Sequence, residues 1–290
     1  MEKIGFAGLG IMGKPMARHL LKAGYPLFIL SSSAAAATLK EEGAVVLETP
    51  AAIAKEADII ITMLPDSPEV ESMVTGKGNL LQTMKPGSLF IDMSTISPAV
   101  AISLYKQFSE KGIEALDAPV SGGQTGAEAA TLSIMVGGNE AAFQRALPVF
   151  EKMGKNIVHI GKPGAGQTAK ACNQVVVGMT IQAVAEAMTL AKKSGIDIAK
   201  VRAALLGGFA QSKILDLHGQ RIIDRNFTPG FKIKLHRKDM RIALETASSL
   251  GVPLPGSNIV ASQMDAMLAE GKGELDHSAL ALYLESVSGL

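Results

Sequence analysis

Short runs rich in β-branched and aliphatic residues punctuate the first half of the chain: Lys3 to Ala7, Pro26 to Leu30, Ala44 to Val46, Asp58 to Met63, Ser88 to Met93 and Glu114 to Ala118. Between them lie longer stretches of helical character. Strands alternating with helices predict a parallel sheet covered by helices on both faces. Two further runs, Leu132 to Val136 and Asn156 to Ile160, flank another helical segment and extend that sheet.

The pattern changes at the turn-rich segment Gly161-Lys162-Pro163-Gly164-Ala165-Gly166. From there almost to the C-terminus apolar residues fall at helical spacing, and no segment reads as a strand. The chain is therefore expected to hold an α/β domain with a doubly wound sheet over residues 1–163 and an all-helical domain over 164–290. One helix from Gln167 to Ser194, stopped by Gly195, would be about 42 Å long and would join the two. Gly271-Lys272-Gly273 reads as a loop before a last helix through Tyr283. No period of 20 to 50 residues marks a solenoid in the helical part.

Composition narrows the possible partners. Over 290 residues, 28 Lys and Arg stand against 27 Asp and Glu, with no basic run and 4% aromatic residues. Neither phosphate attraction nor base stacking is suggested, so no nucleic-acid partner is expected. Cys172 is the single cysteine, which rules out an intramolecular disulfide and any cysteine-cluster zinc site, and fits a reducing, cytoplasmic setting. The apolar start, Met1 to Gly13, lacks a basic n-region and a small-residue cleavage site, and is expected to be mature structure. Val175 to Ala191 is interrupted by Gly178, Gln182 and Glu186, which favours a core helix over a membrane span.

Gly8-Leu9-Gly10-Ile11-Met12-Gly13 has the spacing of a dinucleotide-binding turn, and it follows a predicted strand and opens a predicted helix. Glycines permit a tight turn and close approach to a pyrophosphate, whose charge is met by helix N-terminal amides. The end of the second strand, where the adenosine ribose is read, shows Ser31-Ser32-Ser33 rather than an acid or an arginine, so NAD and NADP both stay open. Those serines also suit capping of the next helix. Lys170, Asn173 and Gln174 lie at spacings of three and four on an apolar helix, where a lysine needs a task or a partner. His19 and His159 read as structural, His218 has no partner motif, and His236 and His277 show no metal-ligand spacing; no metal is assigned. Cys172 reads as a small core residue.

These motifs, together with Asp92-Met93-Ser94-Thr95-Ile96-Ser97-Pro98, Asp117-Ala118-Pro119-Val120-Ser121-Gly122-Gly123, Gly164-Ala165-Gly166 leading to Lys170, and Lys238-Asp239, make the whole chain resemble the β-hydroxyacid dehydrogenase family, also called the 3-hydroxyisobutyrate dehydrogenase family. Asp224-Arg225-Asn226-Phe227, Pro229-Gly230-Phe231, Leu235-His236 and Asp276-His277-Ser278-Ala279-Leu280 are similar to the branch that reduces tartronate semialdehyde to D-glycerate. Other branches act on 3-hydroxyisobutyrate, succinic semialdehyde or glyoxylate. The resemblance implies a Rossmann-like domain with NAD or NADP, and Lys170 as the catalytic acid/base. It implies that Ser121, Gly122 and Gly123 hold the substrate, beside Asn173 or Gln174. Gly8, Gly10, Ile11, Met12, Gly13, Ser31, Ser32, Ser33, Leu64, Pro65, Thr95 and Lys238 would line the cofactor. Lys238 has a second reading, a salt bridge with Asp239.

Reduction of an aldehyde needs a hydride at carbon and a proton at oxygen, where negative charge develops. A lysine ammonium can polarise the carbonyl and donate that proton, provided its pKa falls from about 10.4 toward the working pH. The Ser121 hydroxyl and neighbouring amides suit a substrate carboxylate. Apolar stripes in the helical half imply a homodimer or homotetramer. A cofactor-binding protein without catalysis is the alternative from another class, and it would have no use for Lys170.

Overall fold

In the computed structural model, which describes residues 1–76 and 78–290, strands β1 (Ile4–Ala7), β2 (Leu27–Leu30), β3 (Val45–Leu47), β4 (Ile59–Thr62), β5 (Leu89–Asp92) and β6 (Glu114–Asp117) run parallel. Their order, β3-β2-β1-β4-β5-β6, is that of a doubly wound dinucleotide-binding sheet with its switch point between β1 and β4. Side chains along each strand alternate between two cores. Ile59, Ile61, Leu89 and Ile91 enter one, while Ile60 and Phe90 enter the other, because the side-chain period of a strand is two.

Three strands complete the sheet. β7 (Val120–Ser121) and β6 pair antiparallel with β8 (Leu132–Gly138), which pairs parallel with β9 (Gly154–Gly161). The two-residue β7 carries no periodic signal and is not marked by the apolar pattern. β9 starts at Gly154 rather than Asn156, and as an outer strand it leaves about half of its residues exposed.

The chain divides into two compact units, Met1–Lys170 and Ala171–Leu290. In the second, helices cover Ile198–Leu206, Lys213–Ile223, Ile233–Ser249, Pro255–Ala269 and Leu280–Val287, and no strand occurs among its described residues. Asp197 and Ser212 cap two of these helices through side-chain oxygens, which accept from Ala199 and Leu215 amides. A 3₁₀ turn, His277–Ala279, precedes the last helix where one continuous helix was expected. Asp276 makes that turn by accepting from the Ser278 amide.

The long helix covers Ala165–Lys193, 29 residues or about 43 Å. It ends as the sequence predicts. Gly195 adopts φ +72°, its amide reaching Lys192 and that of Ile196 reaching Ala191, a left-handed stop that returns the last carbonyls their hydrogen bonds. By length and mean hydropathy, 1.3, this helix is long and apolar enough to cross a membrane, and half of that window is buried within the protein. Ile181, Val184, Ala185 and Met188 enter the helical cores, and Gln182 donates to Glu186 at 2.7 Å. The opposite face carries Val176, 63% exposed, and Leu190, 70% exposed. Cys172 lies on that exposed face, not in the core as expected, because it is out of phase with buried Lys170, Ala171 and Gln174.

Candidate active site

β1 feeds the glycine turn into the helix Gly13–Lys22. Gly8 has φ +99°, and a Cβ there would stand 2.2 Å from the Met63 carbonyl oxygen; one on Gly13 would stand 1.8 Å from that of Gly8. Backbone proximity thus demands both glycines. At Gly10 a Cβ would meet nothing within 4 Å, so that side of the turn is open. The helix starts there with no side-chain cap and no acid in its first turn, beside Ile11, 48% exposed, and half-buried Met12. An open loop of amides at a positive helix end fits the pyrophosphate of NAD(P), which Gly8, Gly10, Ile11, Met12 and Gly13 would hold.

The neighbouring strand ends bring the other expected cofactor residues to the same edge of the sheet. Ser31 follows β2, and its Oγ donates to Glu48 Oε2 at 2.8 Å. Ser33 Oγ accepts from the Ala35 amide at 3.3 Å in the turn before the helix Ala36–Glu41, whose N-cap is Ala35 with no side-chain cap, so none of the three serines caps that helix, and Ser32 is exposed. Beyond β4, the Leu64 amide donates to Ser94 Oγ at 2.8 Å and Pro65 is exposed. Half-buried Thr95 sits in the loop between β5 and the helix Pro98–Ser109.

Asp117, at the end of β6, fixes the start of the long helix. Its Oδ1 accepts from the Gly164 amide and its Oδ2 from the Gln167 amide, both at 2.8 Å. A carboxylate at a helix N-terminus satisfies orphan amides and complements the dipole. Gln167 ties the first turn to the loop after β5, accepting from the Ile96 amide at 3.1 Å and donating to the Ser94 carbonyl at 2.8 Å. Lys170 follows one turn later and is 6% exposed. Sequence reasoning quoted Asp117 without giving it a role and passed over Gln167; a polar side chain three positions before a buried lysine was the available signal.

In-register with Asp117 on β5 is Asp92, whose Oδ1 accepts from Thr62 Oγ1 and the Ser94 amide. Burial pushes the Asp92 carboxyl up to about 6 against these hydrogen bonds. Asp117 is also raised by burial to about 6, its helix amides pulling the other way. After β7, Gly122 at φ +138° and Gly123 at φ +60° take conformations that favour glycine and turn half-buried Ser121 into the short helix Gly123–Glu128. That geometry leaves a hydroxyl and a glycine pair together at one strand end.

In the second unit, Asn173 Nδ2 donates to Gln174 Oε1 at 2.8 Å and Gln174 Nε2 donates to Asp239 Oδ2 at 2.5 Å. Gln174 is thereby committed through both ends of its amide. Lys238 Nζ pairs with Asp239 Oδ1 at 2.7 Å, the salt-bridge reading of that lysine.

The histidines, apart in sequence, meet. His236 Nδ1 and His277 Nδ1 are 3.0 Å apart, and His277 Nε2 and His218 Nε2 are 3.2 Å apart. One proton per ring serves both contacts, in either direction along the chain, and His218 Nδ1 lies 3.6 Å from Asp276 Oδ1. Burial, then His236, lowers the His277 pKa well below the ordinary histidine value. Burial also lowers that of His218, against the pull of Asp276. His218, Asp276 and His277 have the atoms to hold a metal ion. Yet Asp276 already accepts from the Gly230, Phe231 and Ser278 amides and from Ser278 Oγ, so the donor set reads as a hydrogen-bonded chain.

Comparison with known proteins places this geometry. Residues 3–161 match the NAD-binding domain of 6-phosphogluconate dehydrogenase, and residues 164–284 match the NAD-binding domain of NADP-dependent 3-hydroxyisobutyrate dehydrogenase. The chain is 47% identical to 2-hydroxy-3-oxopropionate reductase of Escherichia coli, over 98% of this chain and 97% of that enzyme. It is 37% identical to 2-(hydroxymethyl)glutarate dehydrogenase of Eubacterium barkeri, over 99% and 96%. A Mycobacterium tuberculosis 3-hydroxyisobutyrate dehydrogenase solved with L-serine superposes with a TM-score of 0.90 at 35% identity, covering 98% of this chain and 99% of that one. The chain belongs to the β-hydroxyacid dehydrogenase family, the 3-hydroxyisobutyrate dehydrogenase family of NAD(P)-dependent oxidoreductases.

Proposed function

We propose that the chain reduces tartronate semialdehyde, 2-hydroxy-3-oxopropanoate, to D-glycerate, and runs the reverse oxidation, with Lys170 as proton donor and acceptor. The observation that carries this is a lysine only 6% exposed, on a helix whose first turn Asp117 and Gln167 fix to two strand ends. When bound, the reduced dinucleotide supplies the hydride that goes to the aldehyde carbon. The Lys170 ammonium opposes the charge developing on oxygen and transfers its proton there, so the carbonyl π pair becomes an O–H bond. In the oxidation direction neutral Lys170 takes the hydroxyl proton. The Ser121 hydroxyl and the Gly122 and Gly123 amides bind the substrate carboxylate, and Asn173 with Gln174 continues the polar face of the lysine's helix.

The choice of substrate rests on the 47% identity to the E. coli reductase. Nicotinamide absorbance with purified protein tests it against methylmalonate semialdehyde, succinic semialdehyde and glyoxylate. The highest kcat/KM is expected for tartronate semialdehyde; an equal or higher value for another aldehyde would displace that substrate and leave the reaction class standing.

The protein is further proposed to self-associate. Cys172, Val176, Met179, Ala183, Glu186 and Leu190 line the exposed face of the long helix at alternating spacings of four and three, the repeat of a helix-packing seam. Sedimentation at several concentrations checks this, and a monomer throughout would overturn it.

A further inference from the structure

Discrimination between the two nicotinamide dinucleotides ordinarily falls to the residue that ends the second strand of such a sheet. An acid there accepts hydrogen bonds from the ribose hydroxyls of NAD, and an arginine pairs with the 2′-phosphate of NADP. Ser31 holds that position and is neither. The adjacent strand supplies an acid instead. β2 and β3 are parallel neighbours with Leu30 opposite Leu47, and the Ser31 amide donates to the Leu47 carbonyl at 2.9 Å, so Ser31 and Glu48 leave the sheet side by side. The Ser31 hydroxyl spends its one proton on Glu48 Oε2 at 2.8 Å, which holds that carboxylate beside the end of β2. The strand order β3-β2-β1 then sets Glu48, Ser31 and the glycine turn in line along one edge.

The segments that flank the pair carry no cation, the nearest in sequence being Lys40 and Lys55. Tyr25 to Leu39 and Gly43 to Ala54 contain neither lysine nor arginine. A 2′-phosphate arriving here would meet serines and a carboxylate, and one of the serines, Ser33, already accepts from the Ala35 amide. A ribose with both hydroxyls free would meet an acceptor.

We propose that Glu48, tethered by Ser31, is the cofactor-selecting residue and makes the protein prefer NADH to NADPH. The assignment rests on the dinucleotide-binding reading of the glycine turn. Glu48 accepts from the ribose hydroxyls of NADH and repels the 2′-phosphate of NADPH. Because Glu48 is exposed, the repulsion is screened by salt, with a Debye length of about 8 Å at physiological ionic strength.

The test is a titration of the whole protein with NADH and with NADPH, followed by nicotinamide fluorescence with no substrate present. NADH is expected to bind about tenfold tighter or more, a separation of about 1.4 kcal/mol in binding free energy. Glu48→Gln should bring the two dissociation constants within a few-fold, mainly by tightening NADPH. Raising salt should narrow the wild-type ratio and leave that of the variant nearly unchanged. Equal affinities in the wild type, or a preference for NADPH, would overturn the assignment and give the serines to the phosphate. An unchanged ratio in Glu48→Gln with an unchanged melting temperature would overturn it as well. Binding of neither dinucleotide would overturn the reading of the glycine turn, and the role of Glu48 with it.

Discussion

The two units secure their buried polar groups by different means. In the sheet unit, side chains bond mainly to backbone: Asp117 to the Gly164 and Gln167 amides, Asp92 to the Ser94 amide beside its one side-chain donor Thr62, Gln167 to the Ile96 amide and the Ser94 carbonyl. In the helical unit, side chains bond mainly to side chains: Asn173 to Gln174, Gln174 to Asp239, the three histidines to one another, and Glu285 to Lys192 and Arg225, with Asp276, which accepts from three backbone amides, as the exception. The contrast follows from the architecture. Strand ends and loops expose amides that a nearby carboxylate can reach, whereas helices consume their own backbone groups and leave mostly side chains to pair; Asp276 finds its amides in a loop and a 3₁₀ turn.

The most severe test removes the proposed proton donor of the sheet unit. Lys170→Ala is expected to lower kcat by about a hundredfold or more, the usual share of a general acid/base, while NADH still binds. Near-normal turnover in a stopped-flow or steady-state assay would remove Lys170 from its role.

Acid should then separate the units. Asp92 and Asp117, raised to about 6 from 3.8, bind protons in the folded state before the unfolded state does, so their contribution to stability grows as pH falls from 7 toward 4. The full effect is at most about 3 kcal/mol per group. His277 and His218 are lowered, so the unfolded state takes up protons first and stability is lost as pH drops below 6.5. Hydrogen exchange at pH 7.5 and pH 5, corrected for intrinsic rates, should show protection rising around β5 and β6 and falling around residues 213–223 and 277–287. Movement in one direction in both units would break the contrast. Asp92→Asn should reduce the slope of the sheet unit alone, leaving the share of Asp117.

Truncation sharpens it further. Asp117→Ala strands two buried amides of Gly164 and Gln167, at about 1–3 kcal/mol for each, whereas Gln174→Ala leaves Asp239 its Lys238 partner and should cost about 1–2 kcal/mol in all. Urea unfolding of both variants measures the difference, and a costlier Gln174→Ala would reverse the order. Ser33→Ala, at a half-buried turn, is expected to cost under about 1 kcal/mol by the same measurement.

The same contrast governs how much could be read in the sequence. The parallel strands β1 to β6 and the glycine turn were legible because a strand's period of two and a turn's need for glycine are local properties of consecutive residues. Lys170 stood out because an apolar helix rarely holds an ammonium. Glu48 did not, since its meaning depends on β3 lying beside β2, a fact of strand order. The histidine chain was hidden for a similar reason: His236 and His277 are 41 residues apart on elements whose mutual register no periodicity encodes. Cys172 was misplaced because its small, weakly polar side chain suggested the core, whereas its helix is buried on one face only and its phase puts Cys172 on the other.

That phase gives the protein a built-in reporter. The single thiol stands at one end of the 4-3 seam on the long helix, away from Lys170 around the helix and open to reagents in the isolated chain. A maleimide dye would therefore attach at one position per molecule. Its rate of attachment would slow as subunits met along that seam, so one labelling curve against protein concentration would report how tightly copies hold each other.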